Sequence, residues 1–184
     1  MIEGNVFNFP AKNEVSSMSP SPVIIRRVRG EDAADLQANC FSRNTLIEVQ
    51  QHLDNSLAGM ADNRWLHLVA EVDRMVVGSA ELKRETHRLL SHRAEWTGVV
   101  VCGHYQGRGI ARALLQETLA HAASWSIELL TVGVRGGTPA EEVYHHLGFR
   151  EYARLPGGFK EVRDGELLVF DDVSLYLPVS TPPS

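Results

Sequence analysis

The chain has 184 residues, 43% hydrophobic and 22% charged, with a formal net charge of −5. That length and composition suit one domain whose core needs no disulfide or metal staple, and the acidic balance argues against nucleic acid as the main partner, because phosphate binding wants a basic face. Two cysteines, Cys40 and Cys102, with no secretory signal and no apolar run of membrane-spanning length, point to a reduced cytoplasmic setting with neither a disulfide nor a membrane anchor.

Residues 1–22 mix Ser, Pro and Asn without periodicity and read as a mobile arm, and 179–184 read as a frayed end, leaving a single domain over 23–178. VIIRRVRGEDAADLQANCF predicts a short β-branched strand, a turn at Gly30 and an amphipathic helix. A second helix is expected over 44–60. RWLHLVAEVDRMVVGSAELKRE then gives two strands around a hairpin at Asp73 and Arg74, and RAEWTGVVV gives a fourth.

After the fourth strand, three glycines interrupt the apolar run. Beyond them Ile110, Ala111, Leu114, Leu115, Thr118, Leu119 and Ala122 recur at three- and four-residue spacing, the signature of one apolar helical face. The break is therefore a strand-to-helix turn. IELLTVGV follows as a strand, TPAEEVYHHLGF as a short helix stopped near Gly148, and REYARLP with GELLVFDDVSLYLPV as closing strands. The order predicts a mixed α/β fold, with antiparallel strands first and one strand-helix-strand crossover.

Glycines at 107 and 109, at the mouth of a helix, let backbone approach a ligand and leave amide hydrogens without intrahelical partners. Such an end suits a phosphate or pyrophosphate, and Arg108 adds a charge. The competing reading is a tight turn and nothing more. A Walker loop is absent, since no Gly-Lys-Ser/Thr triplet follows, and a dinucleotide fingerprint fails because Arg112 stands where its third glycine belongs. Gln106, Gly109 and Ala111 do satisfy the pattern Gln/Arg-x-x-Gly-x-Gly/Ala.

With that pattern, the opening IIRRVRGEDAADL and the block TPAEEVYHHLGFREY, the sequence resembles the GNAT superfamily of acyl-CoA-dependent N-acyltransferases over residues 23 to 178. HRAEWTGVVV followed by GGTPAEEVYHHLGFREYARLPGGF looks, more narrowly, like the tabtoxin-resistance type of small-molecule acetyltransferase. The resemblance implies a mostly antiparallel sheet splayed into a V between its fourth and fifth strands. Acetyl-CoA would lie in that V, its pyrophosphate on the amides of Gln106, Gly107, Arg108, Gly109, Ile110 and Ala111. Val99, Val100 and Val101 would meet the pantetheine arm through main chain, as an added strand does. Gly137 stands where many relatives have a cofactor-contacting asparagine.

The implied reaction, amine attack on a thioester, needs a base for the nitrogen and an acid for the departing thiolate. Tyr144 holds the position of the acid in many such enzymes, against a purely packing role. Glu95, on the fourth strand, holds the spacing from Gln106 used by glutamate-based relatives, against a surface carboxylate paired with Arg93 or Arg84. The oxyanion of the reaction calls for a backbone amide near Val100, where such strands bulge.

No metal is expected: His145 and His146 are adjacent on a helix and diverge by about 100°, which prevents joint chelation. Cys102 reads as a small apolar residue at a strand end rather than a nucleophile. His104 and Tyr105 read as the outer surface of the loop. The expected function is acetyl transfer to a small amine or amino-acid-like metabolite. A protein or peptide acetyltransferase and a non-catalytic acyl-CoA-binding module are the alternatives. The strands in VDRMVVG and LLVFDDVSLYLPV are expected to leave edges through which two copies pair as a homodimer.

Overall fold

The computed structural model describes residues 21–179. Seven strands form one sheet in the order β1-β2-β3-β4-β5-β7-β6. These are β1 (Ile24–Arg27), β2 (Trp65–Val72), β3 (Met75–Arg84), β4 (Arg93–Val101), β5 (Leu129–Arg135), β6 (Arg150–Arg163) and β7 (Glu166–Pro178). Every pairing is antiparallel except β4 with β5. The expected arm and frayed end fall almost wholly outside the described residues.

The predicted first helix is a composite. A 3-10 turn (Gly30–Asp32) leads into a single α-turn, α1 (Ala33–Asp35), and then a π-turn (Leu36–Cys40) closed by Phe41 N–H donating to Leu36 O at 2.8 Å. Its geometry follows the clamp it makes on the sheet. The Val76 amide donates to Asp35 Oδ2 at 2.9 Å, and Asn39 Nδ2 donates to Val76 O at 2.8 Å. Helix α2 (Leu46–Ala61) is regular, because Thr45 and Glu48 form a reciprocal capping box: the Glu48 amide donates to Thr45 Oγ1, and the Thr45 amide to Glu48 Oε2.

The hairpin expected at Asp73 and Arg74 is present, with φ of 51° and 67°, and Val72 pairs with Met75 across a two-residue turn. Strand β6 runs further than predicted, through Pro156 and two glycines to Arg163. It tolerates the proline because it is the outermost strand, where a missing amide hydrogen costs no ladder bond. The dimer edges inferred from sequence need correction for the same reason. β7 lies between β5 and β6, and β2 and β3 are interior, so among the described residues the free edges are those of β1 and β6.

Two apolar layers sandwich the sheet. On one face α3 (Ile110–Ser124) and α4 (Pro139–His146) cover Leu66, Leu68, Ala80, Leu82, Ala94, Trp96 and Leu130. On the other, α2 and the composite segment cover Val69 and Val76 with Val49, Leu53 and Leu36. Strand alternation explains the division: residues 66, 68 and 70 of β2 face one layer, and 65, 67 and 69 face the other.

Candidate active site

Strands β4 and β5 pair only through Arg93, Ala94 and Glu95 with Leu129, Leu130 and Thr131. Past Glu95 they diverge, and the side of β4 that faced β5 is left open to Val101. The other side stays paired with β3 except at a bulge. Thr97 faces Glu81 and Val100 faces Ser79, so Gly98 and Val99 together oppose Ala80. Gly98 takes φ of +60°, a conformation that favours glycine. The bulge expected near Val100 thus occupies the two residues before it.

The chain then crosses Cys102 and a 3-10 turn (Gly103–Tyr105) to reach the loop read from sequence. Gly107 and Gly109 have φ of 75° and 78°, and a Cβ added at either would meet nothing within 4 Å. The glycines answer a backbone requirement and leave the space above the loop open. Gly109 caps α3, and its carbonyl accepts the Ala113 amide at 3.0 Å. The amides of Ile110, Ala111 and Arg112 precede that first helical bond and point outward. With the helix dipole, they make this end attractive to an anion. Gln106 ties the loop to the strand by donating from Nε2 to Val101 O at 3.1 Å.

These parts border a cleft of about 520 Å³ with α4 as its other wall. Val99, Val101, Gln106, Gly107, Gly109, Ile110, Ala111 and Tyr144 all line it, so the structure gathers most of the residues singled out in the sequence. Arg112 stitches the walls together by donating from Nη2 to His146 O at 3.3 Å.

Tyr144 is 9% exposed and packs edge-on against Trp96 and Phe149, with ring centroids 5.9 and 5.6 Å away. Its hydroxyl has no hydrogen-bond partner among the described residues. Burial pushes the phenol up to about 12, so at neutral pH it is a proton donor.

Other expected residues lie elsewhere. Val100 pairs with Ser79 and does not line the cleft. Arg108 stands over the Tyr105 ring at 5.2 Å and donates from Nη2 to Ser21 O at 3.2 Å. The Gly137 amide donates to Glu141 Oε2 at 2.7 Å. Glu95 is exposed, paired with Lys83 and Thr131 across its neighbouring strands, and is absent from the walls of the cleft. His145 and His146 each turn Nδ1 toward a main-chain carbonyl, and no cluster able to hold a metal occurs among the described residues. Cys102 packs against the larger core, as a small apolar residue would.

A second cavity, not foreseen from sequence, lies on the opposite face of β4. It measures about 280 Å³ between α2 and the sheet, lined by Leu36, Phe41, Val49, Leu53 and Thr97 with the polar His52, His67, Glu81 and Lys83. Gly98 lines this cavity while Val99 lines the cleft, so the bulge stands between the two spaces.

The polar wall is built as a connected set. Glu81 is 2% exposed. Its Oε1 accepts from His52 Nε2 at 2.6 Å and its Oε2 from Trp65 Nε1 at 3.0 Å, with Lys83 Nζ 3.4 Å from Oε2. Burial alone would raise the carboxyl; the bond from His52 and the neighbouring positive charge outweigh it and hold the group below the usual range. His67 is buried between two hydroxyls. Ser56 Oγ gives its proton to Leu53 O and so accepts from His67 Nδ1 at 2.9 Å, leaving His67 Nε2 to accept from Ser79 Oγ at 3.0 Å. Burial pushes His67 down to about 4, so it is neutral near pH 7 and lends Glu81 no charge there.

Residues 31–149 match the Acetyltransferase (GNAT) family. Among solved structures, the chain is similar to an N-acetyltransferase from Staphylococcus aureus Mu50 (18% identity, TM-score 0.73, 87% of this chain and 100% of that one). It is similar also to yncA of Salmonella typhimurium, solved with its cofactor acetyl-CoA (20% identity, TM-score 0.71, 88% and 96%). A third is a ribosomal-protein-alanine N-acetyltransferase from Brucella melitensis (24% identity, TM-score 0.69, 84% and 99%). No curated protein matches the chain significantly.

Proposed function

Since the chain belongs to the Acetyltransferase (GNAT) family, and is thereby an acyl-CoA-dependent acetyltransferase, we propose that it acetylates the primary amine of a small metabolite or amino-acid-like molecule. The observation that carries this reading is the placement of the two cavities on either side of the Gly98–Val99 bulge. One side supplies what acetyl-CoA needs: unpaired amides at the α3 N-terminus for pyrophosphate, and an open strand edge along Val99 and Val101 for the pantetheine arm. The other side is a pocket of about 280 Å³ beside α2, a volume that suits a compact acceptor.

Tyr144 is read as the donor to the departing sulfur. A phenol near 12 facing a thiol near 8.5 makes complete transfer unfavourable by roughly three orders of magnitude, so its contribution is a hydrogen bond to the thiolate as charge develops. The test is acetyl transfer from labelled acetyl-CoA to a panel of small primary amines and, in parallel, to peptides. Label entering the small amines supports the reading. Label entering only the peptides replaces it with a protein acetyltransferase.

A further inference from the structure

Glu81 keeps a charge in the interior of the fold, which is unfavourable unless the group is paired, and such groups cluster at functional sites. Its oxygens already accept from His52 and Trp65 beside Lys83, and its carboxyl is held below the usual range, which makes it a weaker proton acceptor than an imidazole. What it does is orient His52. A carboxylate only accepts, so the 2.6 Å contact requires His52 Nε2 to carry the proton and donate it. That leaves Nδ1 as a lone pair, and among the described residues nothing hydrogen-bonds it. The His52 side chain is 45% exposed and lines the α2 cavity together with Gly98 and Thr97. Glu81 Oε1 itself stands at the bulge, 2.9 Å from where a Cβ on Gly98 would be.

We infer that His52 is the base that takes a proton from the acceptor ammonium in this cavity, with Glu81 as the residue that positions it; the inference rests on the acetyl-transfer reading above. Imidazole is the side chain that ordinarily changes charge near neutral pH, and an adjacent carboxylate steadies the imidazolium as it forms. The competitors are excluded by their surroundings. His67 has both nitrogens committed to Ser56 and Ser79, and Glu95 is exposed and lines neither cavity.

The step balances. An ammonium loses one proton to His52 Nδ1, and the freed nitrogen forms a C–N bond to the acetyl carbon as the C–S bond breaks. The second nitrogen proton accounts for the one that ends on the thiol. The proton on His52 leaves to solvent through its exposed edge, giving amide, thiol and one proton overall.

The test uses the full chain with acetyl-CoA and the small-amine panel, following thiol release across pH. His52→Ala is expected to lower kcat by about 10²- to 10³-fold, remove the acidic limb of the rate profile, leave acetyl-CoA affinity unchanged, lower thermal stability because the buried Glu81 carboxylate loses a partner, and recover part of the rate with added imidazole. Glu81→Gln should instead move that limb to lower pH, because the carboxylate's charge no longer favours the imidazolium. The charged and titratable groups facing His52 are Glu81 and Lys83 from β3, His67 from β2 and Glu48 from α2 itself. His67→Gln therefore serves as the control for the origin of the limb, which must survive it. Wild-type rates and profile in His52→Ala overturn the inference, as does a limb that follows Glu95→Gln instead. A wild type that acetylates no amine in the panel counts against the small-amine reading. The His52 tautomer, read by long-range nitrogen–proton correlation NMR, then decides the dyad independently: a protonated Nε2 with bare Nδ1 supports it, and a protonated Nδ1 overturns it.

Discussion

Gly98 and Glu81 are fitted to each other: the bulge glycine lies so close to the buried carboxylate that a single added methyl would stand 2.9 Å from Oε1 and 3.2 Å from the carboxyl carbon. Gly98→Ala therefore combines an unfavourable positive φ with overpacking. We expect it to cost about 2–4 kcal/mol of stability and to displace Glu81, slowing transfer. Denaturant unfolding checks the first outcome; wild-type stability would mean that the strand relaxes at this point.

Acid should weaken the fold earlier than carboxylates alone would make it. In the folded state His67 is pushed down to about 4, against an ordinary value near 6.5, so the unfolded chain binds the extra proton in between. Stability is then complete above pH 6.5 and falls by up to about 3 kcal/mol as pH drops toward 4. Glu81 and Asp32, both held below their ordinary values, extend the loss at still lower pH. Urea unfolding at pH 7 and pH 4.5 measures this, and equal stabilities would contradict the buried, neutral imidazole.

The α3 end can be tested without catalysis. Gly109→Glu places a carboxylate at the helix mouth and should abolish stabilisation by acetyl-CoA, which for wild type is about 2.7 kcal/mol at a hundredfold excess over Kd. Gly109→Ala meets no neighbour, so it should cost only about 1–2 kcal/mol for its left-handed backbone and keep the ligand-induced shift. A shift preserved in the Glu variant would move the pyrophosphate elsewhere.

The cleft proposed for acetyl-CoA was legible in its geometry because its requirements are local. Gly107 and Gly109 announce positive φ, and the three- and four-residue spacing after Ile110 announces the helix whose end they open. The cavity proposed for the acceptor was not. Ser79, Glu81 and Lys83 alternate with Ala80 and Leu82, a pattern that one strand shows equally when its polar face meets water. Only the placement of α2, with Val49 and Leu53 turned toward that face, makes Glu81 a buried carboxylate. His67, between Leu66 and Leu68, was the available hint. Glu95 and Arg108 had the right positions in the sequence, but their side chains lie outside the cleft, since strand parity and the contact with Ser21 are set by tertiary structure.

Tyr144→Phe should lower kcat by about 10²-fold while leaving acetyl-CoA affinity nearly unchanged, because the ring keeps its packing on Trp96 and Phe149. A thioester with a more acidic thiol should recover part of the loss. Since the buried phenol holds its proton up to about 12, any fall in wild-type rate between pH 8 and 10 should persist in the Phe variant. A Phe variant with wild-type turnover, where chemistry limits the rate, would leave Tyr144 with a packing role alone.

The most direct measurement of the two-cavity site separates its halves by blocking one of them. Thr97 lines the α2 cavity beside Gly98 and has no part in the cleft, so Thr97→Phe fills the acceptor space. Acetyl-CoA binding by calorimetry and amine acetylation should be measured on the same preparation. The account predicts an acetyl-CoA Kd within about twofold of wild type and a kcat/KM for the amine lowered by at least about 10-fold, corresponding to the loss of one good set of contacts. Unchanged amine kinetics in that variant would contradict it, because the acceptor would then reach the thioester from some other side of β4.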